Sequence, residues 1–241
     1  MLQKRQIKPI SVILLCTLPD QGMKSLGSKS LVKVDKNNTL LEKQIKNIKS
    51  GLGRRPYEII LSCCFDCYKV KKLAHKYESK YNIEMISHEE DNMNFGGALL
   101  ACIKKCKYKD VIFINYGCLF NRNVIKKISK CENNKIIVTK KSQRNNHITV
   151  GCNVDSDDNI NHIFYGLGPY KYMDMGYLNP RSIDFMASYL YYKKHINKFT
   201  FEIVNILIEN GLYFNYEVIN NQDIVLANTT TLTKYKKVLE I

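Results

Sequence analysis

The apolar and polar positions of the chain fall into an alternation of short apolar runs and longer amphipathic stretches. Residues 10–16, ISVILLC, form a continuous apolar run bounded by polar residues, which predicts a buried strand. A loop follows to residue 30. Thr39 with Glu42 three positions on matches a capping box. Leu40, Leu41, Gln44, Ile45 and Ile48 then share one helical face, and Gly51 and Gly53 mark its end. Strands are predicted at 57–63, 82–88, 110–116 and 135–141, and helices at 67–81, 94–106 and 121–131. After residue 141 the pattern changes. HITVGCNVD and NINHIFYGLG read as strands joined by the acidic turn SDDN. A strand over KYMDMGYLN and a helix from Pro180 to about His195 come next, the proline suiting a first helical position. A further helix over FTFEIVNILIENG leads to a last strand pair, YFNYEVI and DIVLA.

Strand–helix alternation at this spacing predicts an α/β fold, a three-layer αβα sandwich. Its sheet would be mostly parallel and Rossmann-like, with a small antiparallel insert in the C-terminal half. No linker, repeat or low-complexity tract interrupts the 241 residues, so a single domain over 1–241 is expected, with halves at 1–141 and 142–241.

Composition adds a direction to this picture. Hydrophobic residues make up 45% of the chain, enough for a sizeable core, yet the first apolar run is far shorter than the ~20 residues of a membrane span. Lys4 and Arg5 precede that run and no small-residue cleavage site follows it, so neither a secretory signal nor a membrane partner is expected. A cytoplasmic location follows, and the Lys-, Asn- and Ile-rich bias suits an AT-rich coding source. A viral or phage accessory or virion component, in the host cytoplasm, fits that bias. The formal charge of +15, from 37 basic and 22 acidic residues, favours a polyanion, a nucleic acid or an acidic protein partner; the alternative is a solvated lysine surface, and no arginine-rich cluster stands out in the sequence.

Nine cysteines spread over predicted strands and helices argue against a secreted disulfide framework. Cys64-x-x-Cys67 with Cys102-x-x-x-Cys106 could gather four thiols around zinc. The alternative is cysteine as a small buried apolar residue. His75, His88, His147, His162 and His195 show no metal-ligand spacing.

The order of SVILLC, GMKSLGSKSLVKV, TLLEKQIKNI, YEIILSC, NFGGALLA, DVIFINYGCLF, MDMGYLN and LANTTTLTKYKKVL resembles the sugar-phosphate nucleotidyltransferases, whose fold is the GT-A-like nucleotide-diphospho-sugar transferase type. The resemblance covers nearly the whole chain. It implies a nucleotide-binding half at 1–141 and an acceptor half at 142–241. In this family an acceptor phosphate attacks the α-phosphorus of an NTP and pyrophosphate leaves, with backbone N–H groups, basic side chains and Mg²⁺ stabilising the charge.

Carried over residue by residue, the resemblance places Lys29 at the phosphate-contacting lysine and offers Lys24 as a partial substitute for the family's arginine, whose place Gly22 takes. Leu15, Gly22, Gly96, Gly97 and Ala98 fall on the nucleotide side, and Asp174 and Gly176 on the acceptor side. The departures are specific. Leu18, Pro19, Asp20 and Gln21 replace the upstream glycines; Pro19 lacks an N–H donor and Asp20 repels phosphate. Gly117 stands where the family's first metal carboxylate is expected, and Asn228 where the second is. No metal ligand is therefore assigned, and Mg²⁺ is the only cofactor the resemblance suggests. The reading that follows is a nucleotidyltransferase-like protein with weak or absent catalysis and a binding, regulatory or assembly role, its ligand an NTP or nucleotide-sugar. The alternatives are an active NTP:sugar-phosphate or small-alcohol-phosphate nucleotidyltransferase with substituted residues, and a GT-A glycosyltransferase, for which DSDD at 155–158 is the near match to an Asp-x-Asp motif.

Overall fold

The computed structural model describes residues 7–16, 28–63, 67–78, 80–87, 93–140 and 149–226. Strand β1 (Ile10–Cys16) runs between β2 (Tyr57–Cys63) and β4 (Val111–Asn115), and β3 (Ile83–Ser87) flanks β2. All three pairings are parallel, with Leu15 opposite both Ser62 and Asn115. The apolar run of β1 is wholly buried because both faces of this central strand are covered.

The second half of the chain completes the same sheet. β9 (Tyr170–Leu178) lies antiparallel between β4 and β6 (Lys135–Lys140), and β10 (Asn215–Val218) adds in parallel to β6, giving the order β10-β6-β9-β4-β1-β2-β3. β7 (Val150–Val154) and β8 (Ile160–Tyr165) form the antiparallel insert, attached to the start of β9. Its turn is closed by Asp155, whose Oδ1 accepts the N–H groups of Asp157 and Asn159 at 2.9 Å each; the DSDD acids thus build a turn far along the chain from the end of β4.

Helices cover both faces. α1 (Leu40–Leu52), α2 (Cys67–Glu78) and α4 (Arg122–Ile128) bury their apolar stripes in one core cluster, and α3 (Phe95–Ile103), α5 (Pro180–Tyr189) and α6 (Thr200–Glu209) in another, so the three-layer αβα reading holds. The capping box of α1 is formed: Thr39 N–H donates to Glu42 Oε2 at 2.8 Å, and Glu42 N–H to Thr39 Oγ1 at 3.3 Å. Glu42 also accepts the Tyr77 hydroxyl at 2.6 Å, which ties α2 to α1.

Two expectations change. The last two predicted strands do not pair with each other: β10 joins β6, whereas β11 (Ile224–Leu226) pairs antiparallel with β5 (Cys118–Phe120), a strand the apolar pattern did not separate from its neighbours. α5 stops at Tyr189 rather than near His195, because Leu190 turns extended to bury its side chain in the second core and the tyrosines around it are weak helix formers. The four-thiol zinc reading includes Cys64, which lies outside the described residues. Cys102 is fully buried and Cys106 half-buried, and burial pushes both thiols up, Cys106 to about 12, as in cysteines that pack as small apolar groups. Among the described residues no three of His, Cys, Asp and Glu gather as a metal site, and no helix is long and apolar enough to cross a membrane.

Candidate functional site

Parallel β1 and β4 are neighbours, and the chain leaves them in opposite directions along the sheet, from β1 toward β2 and from β4 toward β6. A cleft opens beyond the carboxyl ends of such strands. Here that place is occupied by the turn Asn115–Cys118. Asn115 Oδ1 accepts the Gly117 N–H at 2.9 Å, and Tyr116 N–H donates to Leu15 O at 3.0 Å. Gln44, a polar residue on the buried face of α1, donates its amide to Tyr116 O at 3.0 Å and Cys118 O at 2.7 Å. The turn is thereby bolted to both the sheet and a helix.

Two cations converge on it. Lys29 opens a short 3-10 helix, Lys29–Leu31, and is buried to 6% exposure. Its Nζ lies 5.4 Å from the centroid of the Tyr116 ring and 3.7 Å from where a Cβ on Gly117 would sit. The place expected to hold a metal carboxylate therefore faces an ammonium. Lys171, the second residue of β9, is the second cation. Burial lowers its pKa, opposed by the nearby Cys118 and Asp174.

Asp174 completes the cluster. Between the pairs Ile136–Gly176 and Val138–Tyr172 the β6–β9 ladder shifts register, and Asp174 sits in that bulge with φ +50°. Its Oδ1 accepts the Thr200 hydroxyl at 2.8 Å, from the first residue of α6. Burial raises its pKa to about 6, against the lowering effects of Thr200 and Lys171. Cys118 donates its thiol to Met173 O at 2.9 Å, and burial pushes that thiol well up, so it is a packing group and not a nucleophile.

The residues singled out in the sequence thus divide. Lys29 and Asp174 are brought to the same turn. Leu15 reaches it only through its carbonyl, which Tyr116 uses, while its side chain is fully buried in the core. Gly96, Gly97 and Ala98 lie in the first turns of α3, on the other face of the sheet. A Cβ on Gly96 would meet Lys198 O at 2.5 Å and Phe199 O at 2.7 Å, and one on Gly97 would meet Ile196 Cα at 2.8 Å. These glycines let the 196–199 backbone close on the helix, a packing reason independent of any ligand. Ala98 is fully buried. Gly176 is likewise required by packing, since its Cβ would meet the Phe113 ring at 2.6 Å. Lys24, Gly22 and Asn228 lie outside the described residues. Asn115, Gln44, Lys171 and Thr200 join the site unannounced; only Gln44, polar on an apolar stripe, carried a signal.

Chemically, the cluster presents two ammoniums, one amide and one carboxyl that titrates near neutrality. Mg²⁺ demands hard, mostly anionic oxygens in near-octahedral array. Two ammoniums and a single carboxyl do not make that array among the described residues. A phosphate suits the same set well.

No family model matches the chain, and no curated protein does. Solved structures do. A structure described as a glucose-1-phosphate thymidylyltransferase from Bacillus anthracis superposes with a TM-score of 0.74 at 12% identity, covering 95% of each chain. The CTP:phosphocholine cytidylyltransferase from Streptococcus pneumoniae gives 0.74 at 13% identity over 96% of this chain and 98% of that one. An inositol-1-phosphate CTP transferase from T. maritima gives 0.69 at 10% identity over 95% and 96%. With nine-tenths of the chain aligned each time, the protein has the nucleotidyltransferase fold.

Proposed function

We propose that the protein is a nucleotidyltransferase-like binding protein whose cleft takes a phosphorylated ligand, an NTP or nucleotide-sugar, with nucleotidyl transfer weak or absent. The observation that carries the reading is the buried Lys29 ammonium 3.7 Å from the absent Cβ of Gly117. A cation there offsets phosphate charge directly, where the fold's relatives would place a carboxylate to recruit Mg²⁺. The role that follows is binding, regulation or assembly rather than turnover, and the halves 1–141 and 142–241 serve as the nucleotide and acceptor sides of one domain.

The test is thermal stability with each NTP and with UDP-glucose, with and without Mg²⁺, beside a pyrophosphate-release assay with sugar phosphates. The expected result is a rise in melting temperature with one nucleotide that does not need Mg²⁺, and no pyrophosphate. Lys29→Met should weaken that binding by about tenfold to a hundredfold, the worth of one charge-assisted contact of roughly 1.5–3 kcal/mol. Gly117→Asp, whose Cβ meets only ordinary contacts, should make the nucleotide shift Mg²⁺-dependent. Mg²⁺-dependent pyrophosphate release by the unaltered chain would overturn the reading in favour of an active transferase.

A further inference from the structure

Helices α1 and α4 cross at Gly51, where an added Cβ would meet Ile125 Cβ at 2.5 Å and Arg122 O at 2.7 Å, so the two backbones are in contact and fixed relative to each other. Beside this crossing is an open cleft of about 620 Å³, on the edge of the sheet where β1 and β2 begin. That is the opposite edge from Asn115–Cys118. Arg54, Arg55, Arg122, Lys126 and Lys130 line it, and no described lining residue is acidic. Three of the chain's six arginines meet here, the adjacent Arg54 and Arg55 with Arg122 from 67 positions further on.

What sets the cleft apart is the gathering of its cations. Some lysines elsewhere meet acids, Lys43 with Asp35 at 3.4 Å, Lys109 with Asp184 at 2.6 Å and Lys127 with Glu217 at 3.3 Å, and others, such as Lys193 and Lys194, form no ion pair among the described residues. Arg54, Arg122, Lys126 and Lys130 form no ion pair among the described residues. Arg55 is the exception. Its guanidinium donates to Lys8 O at 2.6 Å and to Ser129 O, and Asp110 acts on it electrostatically, so it is held as a fixed post at the cleft wall. Gathering like charges costs stability unless an anion offsets them. The other four cations are exposed and the cleft is open; the groove beyond Arg55 and Lys130 also carries Asp110 and Glu132, so the basic track is the cleft itself. A small ligand would have most of its surface buried, which this cleft cannot do. An extended phosphate chain can follow it.

We propose that this cleft binds the phosphodiester backbone of a nucleic acid. No aromatic side chain lines it, so bases are not stacked and sequence is not read. Binding is therefore sequence-independent and salt-dependent. It is separate from the cleft at Lys29.

The test is fluorescence anisotropy of the full chain with labelled mixed-sequence DNA and RNA strands and duplexes of ~20 nucleotides, titrated from 50 to 200 mM salt. Two double variants remove equal charge. Arg122→Glu with Lys126→Glu acts in the cleft; Lys193→Glu with Lys194→Glu acts on exposed lysines beside α5, on the other face of the sheet. The expected result is wild-type binding that weakens with salt, lost at least about tenfold in the cleft variant with a salt slope lower by about two, and changed less than about twofold in the control. Arg122→Gln with Lys126→Gln gives the same direction, and melting temperatures verify that each variant is folded. No binding at 50 mM salt, or equal losses in both charge-reversed variants, overturns the proposal. Displacement of the strand by equimolar inorganic triphosphate also overturns it, by assigning the cleft to a compact anion instead.

Discussion

Replacing Gly96 by alanine is expected to lower the melting temperature by roughly 6–12 °C, measured by calorimetry without any ligand. The added methyl would lie 2.5 Å from Lys198 O and 2.7 Å from Phe199 O. Both are backbone atoms, so no side chain can swing aside, and Gly96 N–H itself donates to Lys198 O at 2.8 Å. Either α3 shifts away from the 196–199 segment or that segment moves and loses this bond. Overpacking of this kind costs about 3 kcal/mol, and in a chain of this length each 1 kcal/mol is worth about 2–4 °C. The measurement separates two roles. A glycine kept for packing destabilises the empty protein when changed. A glycine kept for close approach to a nucleotide leaves the empty protein intact and weakens only binding. An unchanged melting temperature with weakened nucleotide binding would restore Gly96 to the ligand.

Asp174→Asn is expected to raise stability at pH 8 by on the order of 3 kcal/mol and to change it little at pH 4. The sign follows from the raised pKa. With the carboxyl at about 6 in the fold against 3.8 for the ordinary group, the folded chain binds the proton more tightly between those values. Stability therefore falls as pH rises from about 4 to 6 and stays reduced above. Asparagine removes that penalty, still accepts the Thr200 hydroxyl through its amide oxygen, and tolerates φ +50° better than most residues. Melting curves of both proteins from pH 4 to 8 check it: converging at the acid end, diverging above pH 6. Parallel curves would mean that Asp174 stays charged without cost. A carboxyl retained at a cost to the fold is the usual mark of a group kept for a ligand. The same substitution should then weaken binding of the sugar or alcohol portion in the Lys29 cleft.

Much of the fold could be read from local pattern. ISVILLC carries its own burial, Thr39 and Glu42 their own cap, and Pro180 its own helix start, because each depends on neighbours within a turn or two. Of the candidate site residues, Lys29 and Asp174 could be singled out by residue type alone. Lys29 and Asp174 are brought together as part of one cluster. The rest was hidden for physical reasons. Thr200 reaches Asp174 across 26 positions and Gln44 reaches Tyr116 across 72, and neither spacing has a local signature. Gly96, Gly97 and Gly176 announce close approach but not what approaches; in each case it is this chain's own backbone or ring. The basic cleft was invisible because Arg54, Arg122 and Lys130 become neighbours only when α1 and α4 cross at Gly51.

The strand order also fixes a schedule. β9 lies between β4 and β6, yet both are made before it. From the moment Asn115 leaves the ribosome, roughly 60 residues must follow before Leu178 can fill the gap. At about 5–20 residues per second that is roughly 3–12 s in which the apolar edge of β4, Val111 to Ile114, has no partner on that side. The same insertion carries Asp174 to the turn at Gly117, so the cleft and the protection of the nascent sheet are completed by one event.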